Sequence, residues 1–312
     1  MSAPLRIGSV CTGYGGLDMA VQSVLGGELA WVADNDPGAA RILSHHWPDV
    51  PNLGDVTTCD FGQVEPVDIF CGGYPCQPFS LAGELKGTAD DRHIWPDIAR
   101  ALRVLRPRLA IFENVAHHLR LGFDTVLSDL ADLGFDAEWR VVRADHIGAP
   151  HQRRRLVFIA APADTPHLGH QRQRAARQRR HGPAHSGLAA TDATGDRWHE
   201  RRSEPARLER RPGFASGGGQ AWGPYAAAIA RWEAATGRRA PGPTDARGRL
   251  NPPFVEWLMG LPAGWVTDVP GLSRTAQLTA LGNGVVPQQA SAALGHLLDR
   301  QARERTAGAV AA

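Results

Sequence analysis

The sequence predicts an α/β fold, a doubly wound sheet carrying a smaller and less regular second module. From Arg6 to about Ala161, short apolar runs alternate with amphipathic stretches of helical period. That alternation is the pattern of strands joined by crossover helices. After Pro162 the composition shifts to Arg, His, Gly and Ala without a strong period.

The elements follow in order. Ile7–Val10 reads as a strand running into a glycine-rich turn and a helix carrying Leu17, Ala20, Val21, Val24 and Leu25. Ala30–Ala33 is a second strand, closed by Asp34, and Val67–Cys71 a third, leading into Gly72-Gly73-Tyr74-Pro75-Cys76. Leu109–Phe112 leads to Glu113-Asn114-Val115, and further strands are expected at Ala137–Arg143 and Leu156–Ala160. Helices are expected near Ile94–Leu105 and Phe123–Leu133. Taken alone, the alternation argues for parallel pairing. Residues 164–211 hold eleven arginines against six acids, which suits either a disordered basic loop or a nucleic-acid contact. A helix returns at Pro224–Thr236, where Tyr225, Ile229 and Trp232 recur at helical spacing and read as core. A Pro/Trp-rich block from Leu250, the run Leu281–Pro287 and a last helix complete the chain.

Composition sets bounds. A chain of 312 residues can bury a sizeable core. Four cysteines do not make a disulfide framework, no apolar stretch nears the ~20 residues of a membrane span, and the N-terminus lacks a secretory signal. A reducing, cytoplasmic setting is therefore expected, with cysteines as free thiols. The formal charge of +2 does not announce a nucleic-acid binder, but all basic residues except Lys86 are arginine, whose planar fork suits phosphates and guanine edges.

Five motifs carry chemistry. Cys76 stands between Pro75 and Pro78 at the end of an apolar run, so the prolines stiffen the loop around the thiol. A fixed sulfur suits a nucleophile, and a small buried cysteine in a turn is the plain alternative. Gly13-Tyr14-Gly15-Gly16 is tighter than the spaced glycines of dinucleotide enzymes; it could hold the amino-acid part of a cofactor or simply be a turn. Asp34, at a strand end, suits a ribose diol or a helix N-cap, and Asp55 follows Gly54. Glu113 leaves a buried strand, where a carboxyl keeps its proton to higher pH and can donate to a ring nitrogen. Before the last strand, Arg153 and Arg155 fall on one face if the chain is extended there, or belong to a solvated charge run.

The order and wording of these blocks resemble the cytosine carbon-5 DNA methyltransferase family, which uses S-adenosylmethionine. The resemblance covers Gly13–Gly16, Asp34, Asp55, Pro75-Cys76-Gln77, Glu113-Asn114-Val115, Arg153 and Arg155, the Pro252–Trp265 block with Glu256 and Leu258-Met259-Gly260, and Gly282-Asn283-Gly284-Val285-Val286. His151 stands where many members have glutamine, and Asp34 where many have glutamate. The resemblance implies a mixed, doubly wound sheet of the Rossmann-like methyltransferase type over residues 1–162 and 272–312. It places a smaller, irregular target-recognition domain at 163–271.

The resemblance also implies a mechanism. Cys76 adds to carbon 6 of a flipped-out cytosine, Glu113 supports ring N3, and Arg155, with Arg153 beside it, holds the exocyclic oxygen and steadies the glutamate. Carbon 5 then takes the sulfonium methyl, its proton leaves to water, and the thiol is expelled. Gly13, Tyr14, Gly15 and Gly16 are assigned to the methionine end of the cofactor and Asp34 with Asn35 to the ribose. Asp55, Val56 and Ile94 are assigned to the adenine, with Pro75 and Asn283 closing the site. Gln77, Ser80, Asn114, Arg172 and Arg174 are assigned to the DNA. No metal is called for. The partner is double-stranded DNA, met by a monomer in a bacterial cell or phage-infected host; whether a cognate restriction endonuclease accompanies it stays open. Rival readings are a transfer-RNA methyltransferase, disfavoured because no cysteine lies beyond Cys76, a non-catalytic DNA-binding protein on the same fold, and an oxidoreductase.

Overall fold

The computed structural model of the chain describes residues 3–75, 94–163 and 222–311. Among the described residues six strands form one sheet: β1 (Arg6–Val10), β2 (Glu28–Ala33), β3 (Ile69–Gly72), β4 (Leu109–Val115), β5 (Phe135–Val142) and β6 (Arg155–Pro162). Their order is β2-β1-β3-β4-β6-β5. The first four pair in parallel, whereas β6 runs antiparallel to both β4 and β5. The parallel pairing expected from alternation alone thus fails at this edge, and the sheet is mixed, as the resemblance implies. The cause is the β5–β6 connection, which holds only a 3₁₀ turn at Ala144–Ile147 and no crossover helix that could return the chain in parallel.

Apart from the edge strand β5, which leaves Trp139 and Val141 exposed, the strands are buried on both faces, and alternate residues join different cores. Phe70, Ala110, Phe112 and Phe158 face one helical layer, α3 (Trp95–Leu105) and α4 (Phe123–Asp132). Ile69, Cys71, Ile111 and Ile159 face α1 (Gly16–Leu25), α2 (Pro37–His46) and the last helix. The chain's later part supplies α5 (Ala226–Thr236), α6 (Pro252–Leu258), α7 (Arg274–Asn283) and α8 (Pro287–Ala311). Helix α8 returns to the sheet and packs Ala290, Ala293, Leu294 and Leu297 into the core shared with α1. No helix among the described residues is long and apolar enough to cross a membrane.

A third core joins the C-terminal block to the start of the chain, with Tyr14 among Trp232, Trp257, Val266 and Val286. Within it Glu256 is buried and accepts from the backbone N–H groups of Gly264, Val266 and Thr267 at 2.8, 2.6 and 3.0 Å, so its charge is met by donors. Ile229 and Trp232 are buried as their spacing predicts, but Tyr225 is 67% exposed. It lies in the 3₁₀ turn Gly223–Tyr225 that precedes α5, so helical spacing does not carry back to it.

Candidate active site

The parallel strands β1, β2, β3 and β4 end on one side of the sheet, where a doubly wound fold opens its binding crevice. A cavity of about 670 Å³ lies there. Its first wall is the turn after β1. Cys11 and Gly13 both have positive φ (50° and 59°), and a Cβ built on Gly13 meets no heavy atom within 4 Å, so that backbone faces open space. The turn is tied to β2: the Gly13 N–H donates to Asp34 Oδ2 at 2.8 Å, and the Asp36 N–H to Asp34 Oδ1 at 3.0 Å. Asp34 is therefore not the N-cap of α2. Asp36 is, accepting from the Ala39 N–H at 2.8 Å.

Beside it, Asp55 Oδ1 accepts from the Thr57 backbone and hydroxyl at 2.9 and 2.8 Å, and Asn35 donates to Oδ2 at 3.1 Å. These donors, the Thr57 N–H foremost, hold the Asp55 carboxyl below its usual range. It is a standing acceptor at neutral pH. Asp34 moves the other way: burial raises its carboxyl, opposed by the N–H groups of Gly13 and Asp36.

The opposite wall is polar for a different reason. Glu113 and Asn114 are still inside β4, paired with Val157 and Leu156 of β6, and Glu113 is only 6% exposed. Arg155, the first residue of β6, places Nε 2.6 Å from Glu113 Oε1. Burial raises the Glu113 carboxyl, and the charges of Arg155 and Arg153 oppose that rise. Its other oxygen is turned toward Gly73, where an added Cβ would lie 3.4 Å from Oε2. The pair is thus one oxygen held by a guanidinium and one presented at the cavity.

Arg153 has a different task from its neighbour. Its φ of 22° breaks the extended run assumed from alternation, and its Nη2 donates to the carbonyls of Gly282 (3.0 Å) and Gly284. It fastens the C-terminal segment to the sheet. That segment brings Asn283 and Val285 to the cavity.

The cavity wall accordingly gathers Gly13, Asp34, Asn35, Asp55, Val56, Pro75, Ile94, Glu113, Asn114, Arg155 and Asn283. Tyr14, Gly15 and Gly16 do not line it. Tyr14 is fully buried and its hydroxyl donates to the Val285 carbonyl at 2.7 Å, while Gly15 packs on Trp47 and Gly16 on that same carbonyl. Glycine is needed at 15 and 16 for packing: an added Cβ has no room at either. Cys76, Gln77, Ser80, Arg172 and Arg174 lie outside the described residues. Sequence reading passed over Cys11, Thr12 and Asp18, which also line the cavity. The Cys71 S–H donates to Asp18 Oδ1 at 3.4 Å, and burial raises the Asp18 carboxyl. An acid in the first turn of a helix looks like an ordinary dipole partner, so nothing in the sequence marks it.

Chemically, the site pairs two acceptor carboxylates and an open glycine backbone at one end with a buried acid and its guanidinium at the other.

The family model described as C-5 cytosine-specific DNA methylase matches residues 5–200. Among curated relatives, the chain is 29% identical over 153 residues to Type II methyltransferase M.NgoBV of Neisseria gonorrhoeae, covering 45% of this chain and 36% of the relative. It is 30% identical over 160 residues to Type II methyltransferase M.HhaI of Haemophilus parahaemolyticus, covering 50% and 48%. The matched stretch thus spans between a third and a half of those relatives' length. Among solved structures, the Entamoeba histolytica methyltransferase EhMeth superposes with a TM-score of 0.61 at 15% identity, covering 96% of this chain and 99% of that one. The S. pombe Dnmt2 methyltransferase gives 0.60 at 14%, covering 95% and 99%. Those likenesses establish a methyltransferase fold of the Rossmann-like kind, and the sequence match over residues 5–200 makes the chain a member of the C-5 cytosine-specific DNA methylase family.

Proposed function

We propose that the protein is a DNA (cytosine-5-)-methyltransferase that modifies one short sequence in double-stranded DNA, with Cys76 as nucleophile. The observation that carries the reading is a shared cavity: Pro75, one peptide bond before Cys76, lines the same wall system as the Glu113–Arg155 pair and the Asp34 and Asp55 carboxylates.

The cavity fits S-adenosylmethionine. Gly13 leaves room for close backbone approach, Asp34 suits the ribose hydroxyls, and Asp55 with Val56 suits the adenine. Asn283 reaches the same space from the C-terminal segment. When bound, the cofactor supplies an electrophilic methyl on a sulfonium.

The chain's own residues do the rest. Cys76 forms a bond to carbon 6 of the target cytosine, which pushes electron density toward carbon 5. Glu113, whose carboxyl is raised by burial against the charges of Arg155 and Arg153, donates at ring N3 as charge builds there. Arg155 holds Glu113 Oε1, and so keeps the acid in place while its Oε2 edge serves the ring. Once the carbon-5 proton has left to solvent, the carbon–sulfur bond breaks and Cys76 departs as thiolate. The other three thiols are poorer candidates: burial raises Cys11 to about 12, raises Cys71 well above the ordinary thiol value, and raises Cys59. Cytosine must leave the base stack to reach this pocket, at a cost of a few kcal/mol. Arg172 and Arg174 are assigned to phosphate contacts that offset it. We assign residues 163–271 to target recognition and 1–162 with 272–312 to catalysis, acting as a monomer inside a bacterial or phage-infected cell.

Expression in a host free of cytosine methylation, followed by bisulfite sequencing, tests the activity and reads the motif together. The expected result is 5-methylcytosine confined to one short motif, absent with Cys76→Ala. Unmodified DNA with methyl groups appearing on transfer RNA would overturn the substrate assignment.

A further inference from the structure

We infer that Arg100 is a positioning residue that sets the affinity and base selectivity of the adenine end of the cavity, acting through Asp55 and Val56. The inference rests on the cofactor reading above.

Residues 54–57 line the cavity but belong to no strand or helix. On the cavity side they are ordered by their own turn, in which the Thr58 N–H and Thr57 N–H return to Asp55, and by Asn35. Behind them, one side chain takes the carbonyls of Val56, Thr57 and the following Cys59. Arg100, on α3, donates from Nη1 to the Cys59 carbonyl at 2.8 Å and from Nη2 to those of Val56 and Thr57 at 2.9 and 3.2 Å. Asp97, one turn earlier on α3, accepts from the same Nη2 at 3.2 Å and orients the fork. The guanidinium lies 5.2 Å from the centre of the Phe61 ring, which closes it from below. A planar fork can gather three carbonyls converging from one bend of chain; a lysine ammonium on a flexible stem holds such a set poorly.

The consequence concerns selectivity. The Asp55 carboxylate is an acceptor, so it favours a ring bearing an amino group over one bearing a carbonyl at the same place. That preference requires the carboxylate to stay within hydrogen-bond reach, about 3 Å. Arg100 sets that distance by anchoring the peptide groups immediately after Asp55. Without it the bend can shift while the sheet and α3, held by their own cores, stay folded.

The test measures binding by calorimetry to the full-length protein, with S-adenosylhomocysteine and its 6-oxo counterpart S-inosylhomocysteine as ligands. Wild type should prefer the adenosyl ligand by about tenfold or more. Arg100→Ala should weaken the adenosyl ligand by about tenfold and leave the inosyl ligand nearly unchanged, so the preference collapses. Arg100→Lys, measured alongside because it retains the stem and charge, should fall between. Equal weakening of both ligands, or no change in either variant, overturns the inference while leaving the cofactor reading in place. A wild type that binds neither ligand overturns both.

Discussion

Glu113 shows how one side chain acquires a role from where its strand stops. The residue is inside β4, so its carboxyl is desolvated, and burial outweighs the opposing charges of Arg155 and Arg153. Its proton is therefore retained to a higher pH than on an ordinary carboxylate. By linkage, the stability associated with this group is full below the ordinary carboxylate range and is lost as pH rises through the raised value. Activity that depends on the protonated form falls in the same direction. Glu113→Gln should lower the methyl-transfer rate about a hundredfold, flatten the fall on the alkaline side, and leave S-adenosylhomocysteine affinity within about twofold. Rate profiles from pH 5 to 9 and calorimetry check this; a variant whose alkaline limb is unchanged contradicts the assignment. The acid was legible because a charged residue directly after an apolar run is conspicuous. Arg153 was not, because its role depends on a backbone turn at φ 22° that no residue type announces.

Between elements, the turn after β1 and the segment before α8 form one joint. Tyr14 donates to the Val285 carbonyl, Gly16 packs on that carbonyl, Gly284 packs on the Tyr14 ring, and Trp265 donates to the Tyr14 carbonyl at 2.9 Å. Arg153 closes the joint through Gly282 and Gly284. Two segments some 270 residues apart thereby make one side of the cavity. A Cβ at Gly16 has nowhere to go except into the backbone of that segment, so Gly16→Ala should cost about 1–3 kcal/mol of stability. Urea unfolding measures it, and a change under about 0.3 kcal/mol would mean the joint yields freely. The resemblance assigns Gly15 and Gly16 to the cofactor, as glycines in a turn permit close approach of a ligand. Here the close approach is by Trp47 and Val285, and only Gly13 opens to the cavity.

Across the whole molecule, the strand-and-helix alternation was legible because apolar period is a local property. The antiparallel β6 was not, since pairing direction depends on what the β5–β6 connection can span. Eleven of the residues expected at the site share one cavity although they come from β-strand ends, a helix end and loops far apart in sequence. Nothing local marks Arg100, because its three carbonyl partners lie some forty residues earlier. In the function proposed above, these parts converge on a single event, the bond between the Cys76 sulfur and carbon 6 of a cytosine. Incubation of the protein with duplex DNA carrying 5-fluorocytosine at its target site, in the presence of S-adenosylmethionine, should yield a covalent protein–DNA species. Mass spectrometry should place the link on Cys76, and Cys76→Ala should abolish it while still binding S-adenosylhomocysteine. A link mapping to Cys11, Cys59 or Cys71, or methylation that proceeds undiminished in Cys76→Ala, would contradict the account.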